Sequence, residues 1–134
     1  MVVESDLKIY IAGCFESRPR LAQRRNEIEG LGHTVTSSWL DEPDQDGLIV
    51  LPSPEACLNY AVRDLGEIRQ SELLLIDTLD VNARGGREVE LGFALRRLQT
   101  WLVGPRRNVF HYLVDKWCSS WEIVLEQLAG LESR

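Results

Sequence analysis

Two hydrophobic periods alternate along the chain, and their alternation predicts the architecture. Residues 7–12 (LKIYIA) form a β-rich run that stops at Gly13. Residues 18–31 then place Leu21, Ile28 and Leu31 at helical spacing ahead of Gly32, so the pair reads as strand, loop and helix. Residues 33–39 predict a second strand, followed by a polar loop through Asp41, Glu42, Pro43, Asp44, Gln45, Asp46 and Gly47. Residues 54–71 predict a helix with Cys57, Ala61, Leu65 and Ile68 on one face. The wholly apolar run 73–77 (LLLID) suits a central strand ending at Asp77. A helix over 84–98 follows, then strands over 100–103 and 108–113. A last helix is signalled by the capping-box spacing Ser119-Ser120-Trp121-Glu122 and closed by Gly130.

Strands alternating with helices predict an α/β fold: one flavodoxin-like, doubly wound domain over 1–134, with about five mostly parallel strands and helices on both faces. Strand order 2-1-3-4-5 would set the loop after the first strand beside the loop after the third. Ligands in such sheets lie outside the carboxyl ends of the strands, so Gly13 and Glu90 would face one crevice.

The segment Arg84-Gly85-Gly86-Arg87-Glu88-Val89-Glu90-Leu91-Gly92-Phe93-Ala94 carries the candidate chemistry. Its glycines lead into a helix start, where unpaired N–H groups and the positive end of the macrodipole favour an anion. Glu88 and Glu90 are two residues apart and point to different sides of a helix. Glu90 lies beside a stripe of Val89, Phe93, Ala94, Leu95 and Leu98, whereas Glu88 reads as solvated. The alternative for Glu90 is a half-buried carboxylate paired with Arg87 or Arg97, and the motif alone balances the two.

Charge and cysteine content narrow the classes. A net charge of −6 argues against nonspecific nucleic-acid or anionic-membrane binding but leaves room for a small anion held by local arginines. Cys14, Cys57 and Cys118 are odd in number and widely spaced, so neither a disulfide framework nor a zinc site is indicated, and no cofactor is called for. A reducing cytoplasm is the expected compartment. The opening residues lack the basic and apolar regions of a signal peptide, and no apolar run approaches a membrane span.

KIYIAG-Cys14-Phe15 near the start, Asp64-Leu65 before an apolar strand ending in Asp77, and Gly-Gly-Arg-Glu-Val-Glu-Leu-Gly-Phe-Ala together resemble the nucleoside 2-deoxyribosyltransferase family, over about residues 7–110. The Glu-Leu-Gly-x-Ala core at Glu90 to Ala94 is the most specific part. The resemblance implies that Glu90 is a nucleophile forming a covalent deoxyribosyl-enzyme intermediate, and that Asp64 lies near the sugar and the reacting centre. Related nucleotide N-hydrolases keep this scaffold and use water as acceptor. The family also implies a homodimer or larger oligomer, with late residues such as Asn108 and His111 completing a neighbour's pocket, and Trp101, Trp117 and Trp121 are candidates for the contact.

One position departs from the family. The transferases commonly carry an aspartate six residues before the nucleophile, where this chain has Arg84. Proton transfer to the base would then fall to Asp77 or Asp80. Arg84 is a candidate for a 5'-phosphate, with Arg87 and Arg18 weaker ones. Gly13 lets backbone approach a ligand, Cys14 reads as small lining, Phe15 and Trp39 offer flat surfaces, and Gly86 and Asn108 complete the expected substrate contacts. Ordinary fates stand against each: solvated arginines, a core tryptophan, a structural asparagine. Three functions remain: glycosyl transfer between bases on a 2'-deoxynucleoside, N-glycosidic hydrolysis of a nucleoside 5'-monophosphate, and nucleotide binding without turnover.

Overall fold

A computed structural model describes residues 6–42, 53–81 and 84–131. The part of the acidic loop running from Pro43 to Gly47 lies outside them. Strands β1 (Lys8–Ala12), β2 (Thr34–Val35), β3 (Leu73–Asp77), β4 (Gln99–Val103) and β5 (Lys116–Cys118) form one parallel sheet in the order β2-β1-β3-β4-β5. Helices α1 (Arg18–Gly30) and α4 (Trp121–Gly130) pack together, as do α2 (Pro54–Arg69) and α3 (Gly86–Ala94), which gives the doubly wound arrangement. All of β3, and β1 and β4 after their first residues, are buried, as expected for parallel strands covered on both faces.

The second strand is shorter than its sequence pattern suggests. After Val35 the chain turns into a 3-10 segment, Ser38–Asp41, and the Trp39 indole donates to the Ile11 carbonyl at 2.8 Å. Ser37 Oγ accepts from Ile11 N–H at 3.1 Å. Side chains thus take over the partners that a longer strand would have paired by backbone.

The expected strand over 108–113 is instead a 3-10 helix, Val109–Leu113. Asn108 Oδ1 accepts from the N–H groups of Phe110 and His111, so a side-chain cap competes successfully with a ladder. The last strand falls later, at Lys116–Cys118. Helix α3 ends at Ala94 rather than at residue 98, because Arg96 adopts a left-handed φ of 69° that turns the chain into β4. The cap of α4 is Ser120, whose Oγ accepts from Ile123 N–H, and not Ser119.

Helix α2 begins on a cap from Ser53 to Ala56 N–H, with Pro54 in its first turn. Its expected apolar face closes onto the core at Ile68, which is buried, and at Leu65, which is partly buried. Ala61, Leu58 and Val62 in its first half are exposed. That half stands at the side of the sheet's carboxyl end, where Tyr60 and Asp64 border a cleft.

Candidate active site

The cleft holds about 160 Å³ and is lined by Gly13, Cys14, Phe15, Glu16, Trp39, Glu42, Tyr60, Asp64, Arg84, Gly86, Arg87 and Glu90. It forms where β1 and β3 diverge to opposite sides of the sheet, the switch point at which such sheets bind ligands. Gly13 follows β1 immediately. A Cβ there would come within 2.7 Å of Leu21 Cδ1, so glycine lets the loop pass between β3 and α1.

Glu90 is half-buried in this cleft, and its Oε2 accepts a hydrogen bond from the Tyr10 hydroxyl at 2.7 Å. Tyr10 is fully buried on the interior strand β1, so the carboxylate is anchored to the sheet. Burial pushes the Glu90 carboxyl up to about 8, with Asp64 and Glu67 adding to the rise, against the opposing effects of the Tyr10 hydroxyl and Arg63. The helix-start argument therefore fails for this residue. Gly85 is the N-cap of α3, which puts Glu90 beyond the first turn, where the dipole's influence has fallen away. No ion pair to Arg87 or Arg97 holds it among the described residues.

Of the apolar stripe expected here, Phe93, Ala94, Leu95 and Leu98 meet the core and Val89 does not. Arg87, Leu91 and Ala94 are the buried residues, while Val89 is exposed. Glu88 is not simply solvated: it accepts from Asn108 Nδ2 at 3.0 Å, lies 2.9 Å from His111 Nε2 and pairs with Arg87. Asn108 is thereby committed to Glu88 and to capping its own 3-10 helix, away from this chain's cleft.

Asp64 lines the cleft from α2, where Arg63 reaches it through Nε at 3.1 Å and Nη2 at 2.9 Å. Burial raises the Asp64 carboxyl above the ordinary carboxylate range, against the lowering effect of Arg63. Arg63 Nη2 also binds Glu42, a second carboxylate of the lining. Tyr60 lies below the same guanidinium, 5.1 Å from its ring centroid.

The two aspartates expected to give a proton to the base are engaged elsewhere. Asp77 is 1% exposed, receives both Nη groups of Arg20 at 2.8 and 3.1 Å, accepts from the Trp121 indole at 2.6 Å and caps Leu79 N–H. It ties β3 to α1 and α4 and is absent from the cleft lining. Asp80 accepts from Ser17 Oγ and from Arg20 Nη2, and these contacts hold its carboxyl below the usual range. A carboxylate so stabilised is a poor proton donor.

The arginines also divide. Arg84 lines the cleft, is 54% exposed and pairs with Glu16 at 3.1 Å. Arg87 is 4% exposed, and its Nη1 donates to the carbonyls of Asp77 and Asp80 and to Cys14 Sγ, so it braces the loop after β3. Arg18 covers the Phe15 ring at 3.7 Å and donates to the Phe15 carbonyl, which occupies one aromatic face. Cys14 is 6% exposed and burial raises its thiol, as suits lining rather than attack. Trp39, also 6% exposed, is cleft wall and core together rather than an open stacking surface. Gly86 opens α3 at the cleft edge.

Tyr10, Glu42 and Tyr60 are not among the residues expected from sequence, whereas Arg63 is the sequence neighbour that an ordinary helix aspartate at position 64 would pair with, as it does. For Tyr10 a signal existed, since a tyrosine inside a buried strand needs a partner for its hydroxyl. For Glu42 none did, because its neighbour Arg63 is 21 residues away.

A 2-deoxyribosyltransferase from Bacillus psychrosaccharolyticus superimposes with a TM-score of 0.72 at 22% identity, covering 90% of this chain and 95% of that one. The fold is the same. A conserved protein from Enterococcus faecalis V583 gives 0.65 at 18% identity, covering 93% and 98%. A Clostridium botulinum CMP N-glycosidase gives 0.59 at 15% identity, covering 90% and 97%. No protein-family model and no curated protein matches the chain. At these identities the likeness establishes the architecture, and the chemistry rests on the residues of the cleft.

The raised Glu90 carboxyl makes stability depend on pH. The folded protein keeps the proton up to about 8, whereas the unfolded chain releases it near the ordinary value of 4.5. Between these values the native state binds more protons, so this group's contribution is complete below 4.5 and is lost as pH rises through 8. Glu90→Gln removes the titration. Urea denaturation at pH 5 and pH 8 should show the variant gaining on the wild type at the higher pH, and parallel changes would contradict the burial of a neutral Glu90.

Proposed function

We infer that this protein is a nucleoside 2-deoxyribosyltransferase-like enzyme that cleaves the N-glycosidic bond of a 2'-deoxynucleoside through a glycosyl-Glu90 intermediate and passes the sugar to another base. The observation that carries this reading is the Glu90 carboxyl, held by Tyr10 in a cleft at the sheet's switch point with Asp64 on the opposite helix. The shared fold with a 2-deoxyribosyltransferase supports it. The working unit is the 1–134 domain.

The chemistry is a double displacement. Ionised Glu90 attacks C1' as the C1'–N bond breaks, the electron pair of that bond leaving on the base, which takes up a proton. A second base then attacks C1', expels the Glu90 carboxylate and restores the original configuration. With Asp77 and Asp80 engaged elsewhere, Asp64 is the aspartate of the cleft lining left to bind the sugar and serve proton transfer. Because attack needs the ionised form, kcat/KM should rise with pH toward about 8.

A second reading rests on Arg84, which lines the cleft mouth where an aspartate would be expected. Its guanidinium suits a 5'-phosphate, which would displace Glu16, and water would then replace the acceptor base, as in a nucleoside monophosphate N-hydrolase. The CMP N-glycosidase shares this fold.

Assembly into a homodimer or larger oligomer is also part of this proposal, but its contact differs from the tryptophan cluster first expected. Trp121 and Trp101 are buried in the core at 1% and 7% exposure. Val109, Phe110, Tyr112 and Leu113 are instead exposed together on one 3-10 helix, with Trp117 45% exposed nearby, and form the apolar surface that a second copy would cover.

Three outcomes are expected. Deoxynucleosides and their monophosphates, incubated with and without a second base, should yield free base, and Glu90→Ala should fold yet lose on the order of a thousandfold in rate. Near-normal turnover by that variant would transfer the role to another carboxylate. If Arg84 holds a phosphate, a monophosphate should bind more tightly than its nucleoside, and Arg84→Ala should cost about tenfold of that preference, consistent with a partly solvated charged hydrogen bond. Equal wild-type affinities would reject the hydrolase reading. Sedimentation at micromolar concentration should show species larger than the 15.3 kDa chain, and a monomer alone would refute assembly.

A further inference from the structure

We propose that Arg63 is a positioning residue of the cleft, whose guanidinium bridges Glu42 to Asp64 and thereby sets the orientation and charge of the carboxylates beside Glu90. This inference rests on the reading of Glu90 as the reacting group. It concerns a residue that would not touch the substrate's reacting atoms and acts through its neighbours.

The geometry is that of a single cation serving two elements. Arg63 and Asp64 are consecutive on α2, and Arg63 binds Asp64 Oδ1 through two nitrogens, at 3.1 and 2.9 Å. The same Nη2 reaches Glu42, which follows the 3-10 turn after β2. The three side chains are only 32%, 19% and 17% exposed, so solvent screens them less than surface charges. Tyr60, one turn earlier on α2, lies against the guanidinium and limits its freedom.

Charge balance makes this cation consequential. Tyr10 faces Glu90 from β1, while α2 brings Asp64, Glu67 and Arg63, and Glu42 stands across the cleft. Arg87 and Arg84 come from α3 and the loop before it, and Cys14 and Glu16 from the loop after β1. Arg87 and Arg84 are paired with Glu88 and Glu16. Glu67 is satisfied by Ser38, whose N–H and Oγ donate to it at 3.1 and 2.5 Å. Arg63 is thus the cation on the α2 side that offsets Asp64 and Glu42, and it opposes the rise of both the Asp64 and Glu90 carboxyls. Glu42 draws on the same guanidinium and weakens its effect on Asp64.

The test follows the Glu90 carboxyl directly, by carbon-13 NMR of glutamate-labelled protein, with Glu90→Gln assigning the signal. The wild-type midpoint should lie near 8. Arg63→Met should raise it, because the guanidinium opposes the rise of the Glu90 carboxyl. Glu42→Gln should lower it, because a negative charge that draws on the same guanidinium is removed. Arg63→Lys should restore most of the midpoint but not kcat, since an ammonium cannot reproduce the planar fork. With any deoxynucleoside that the wild type cleaves, the acid limb of kcat/KM should move with the NMR midpoint, and kcat should fall more than KM rises. An unchanged midpoint in folded Arg63→Met and Glu42→Gln would overturn the proposal. Absence of turnover in the wild type would instead refute the enzymatic reading, while the NMR midpoints would still decide the role of Arg63.

Discussion

A carboxylate taken out of water and answered by one phenolic hydroxyl is the constraint around which this cleft is organised. Glu90 would be cheaper to the fold if it were exposed or paired with an arginine. It is instead set against Tyr10 on the interior strand β1, where burial favours its neutral form and the hydroxyl fixes its direction. Such placement sacrifices stability for a group that titrates near neutrality and points at one spot.

The rest of the polar apparatus sorts by whether it serves the cleft or the frame. Asp77, Asp80, Arg20 and Trp121 form a knot that joins β3 and the following loop to α1 and α4. Arg87 adds a brace from α3 to two carbonyls of that loop and to Cys14. These contacts occupy both oxygens of Asp77 and one of Asp80, side chains that, from type alone, would be good candidates for chemistry. What they achieve is a rigid rim. Glu90 and Asp64 line the cleft from the packed helices α3 and α2, and Arg63, Glu42 and Tyr60 surround Asp64.

The same sorting explains the surface. Glu88, His111 and Asn108 are bound to one another beneath the 3-10 helix after β4, which leaves that helix's large apolar residues pointing outward. A capped, internally bonded segment can present an apolar face because its polar groups are already satisfied.

The sequence by itself determined the parallel, doubly wound sheet and the crevice between the loops after β1 and β3, where Glu90 lies, because strand and helix patterns are local information. Parallel buried strands are continuous apolar runs, as in LLLID, and right-handed crossovers then leave few topologies. The turn at Gly13 and the Gly-Gly lead into α3 are equally local signals. Tertiary structure alone decided what each charged residue does. Asp77 bonds Arg20, Asp80 bonds Ser17, Glu88 joins His111 and Arg63 reaches Glu42, through partners 57, 63, 23 and 21 residues away. A charge at a given position carries no mark of its distant partner, and the sign of the Glu90 shift depended on burial that no helix-start rule contains. The 3-10 segments at Ser38–Asp41 and Val109–Leu113 were hidden for a related reason: their residues favour strands, and only side-chain bonds to neighbouring backbone overrode that preference.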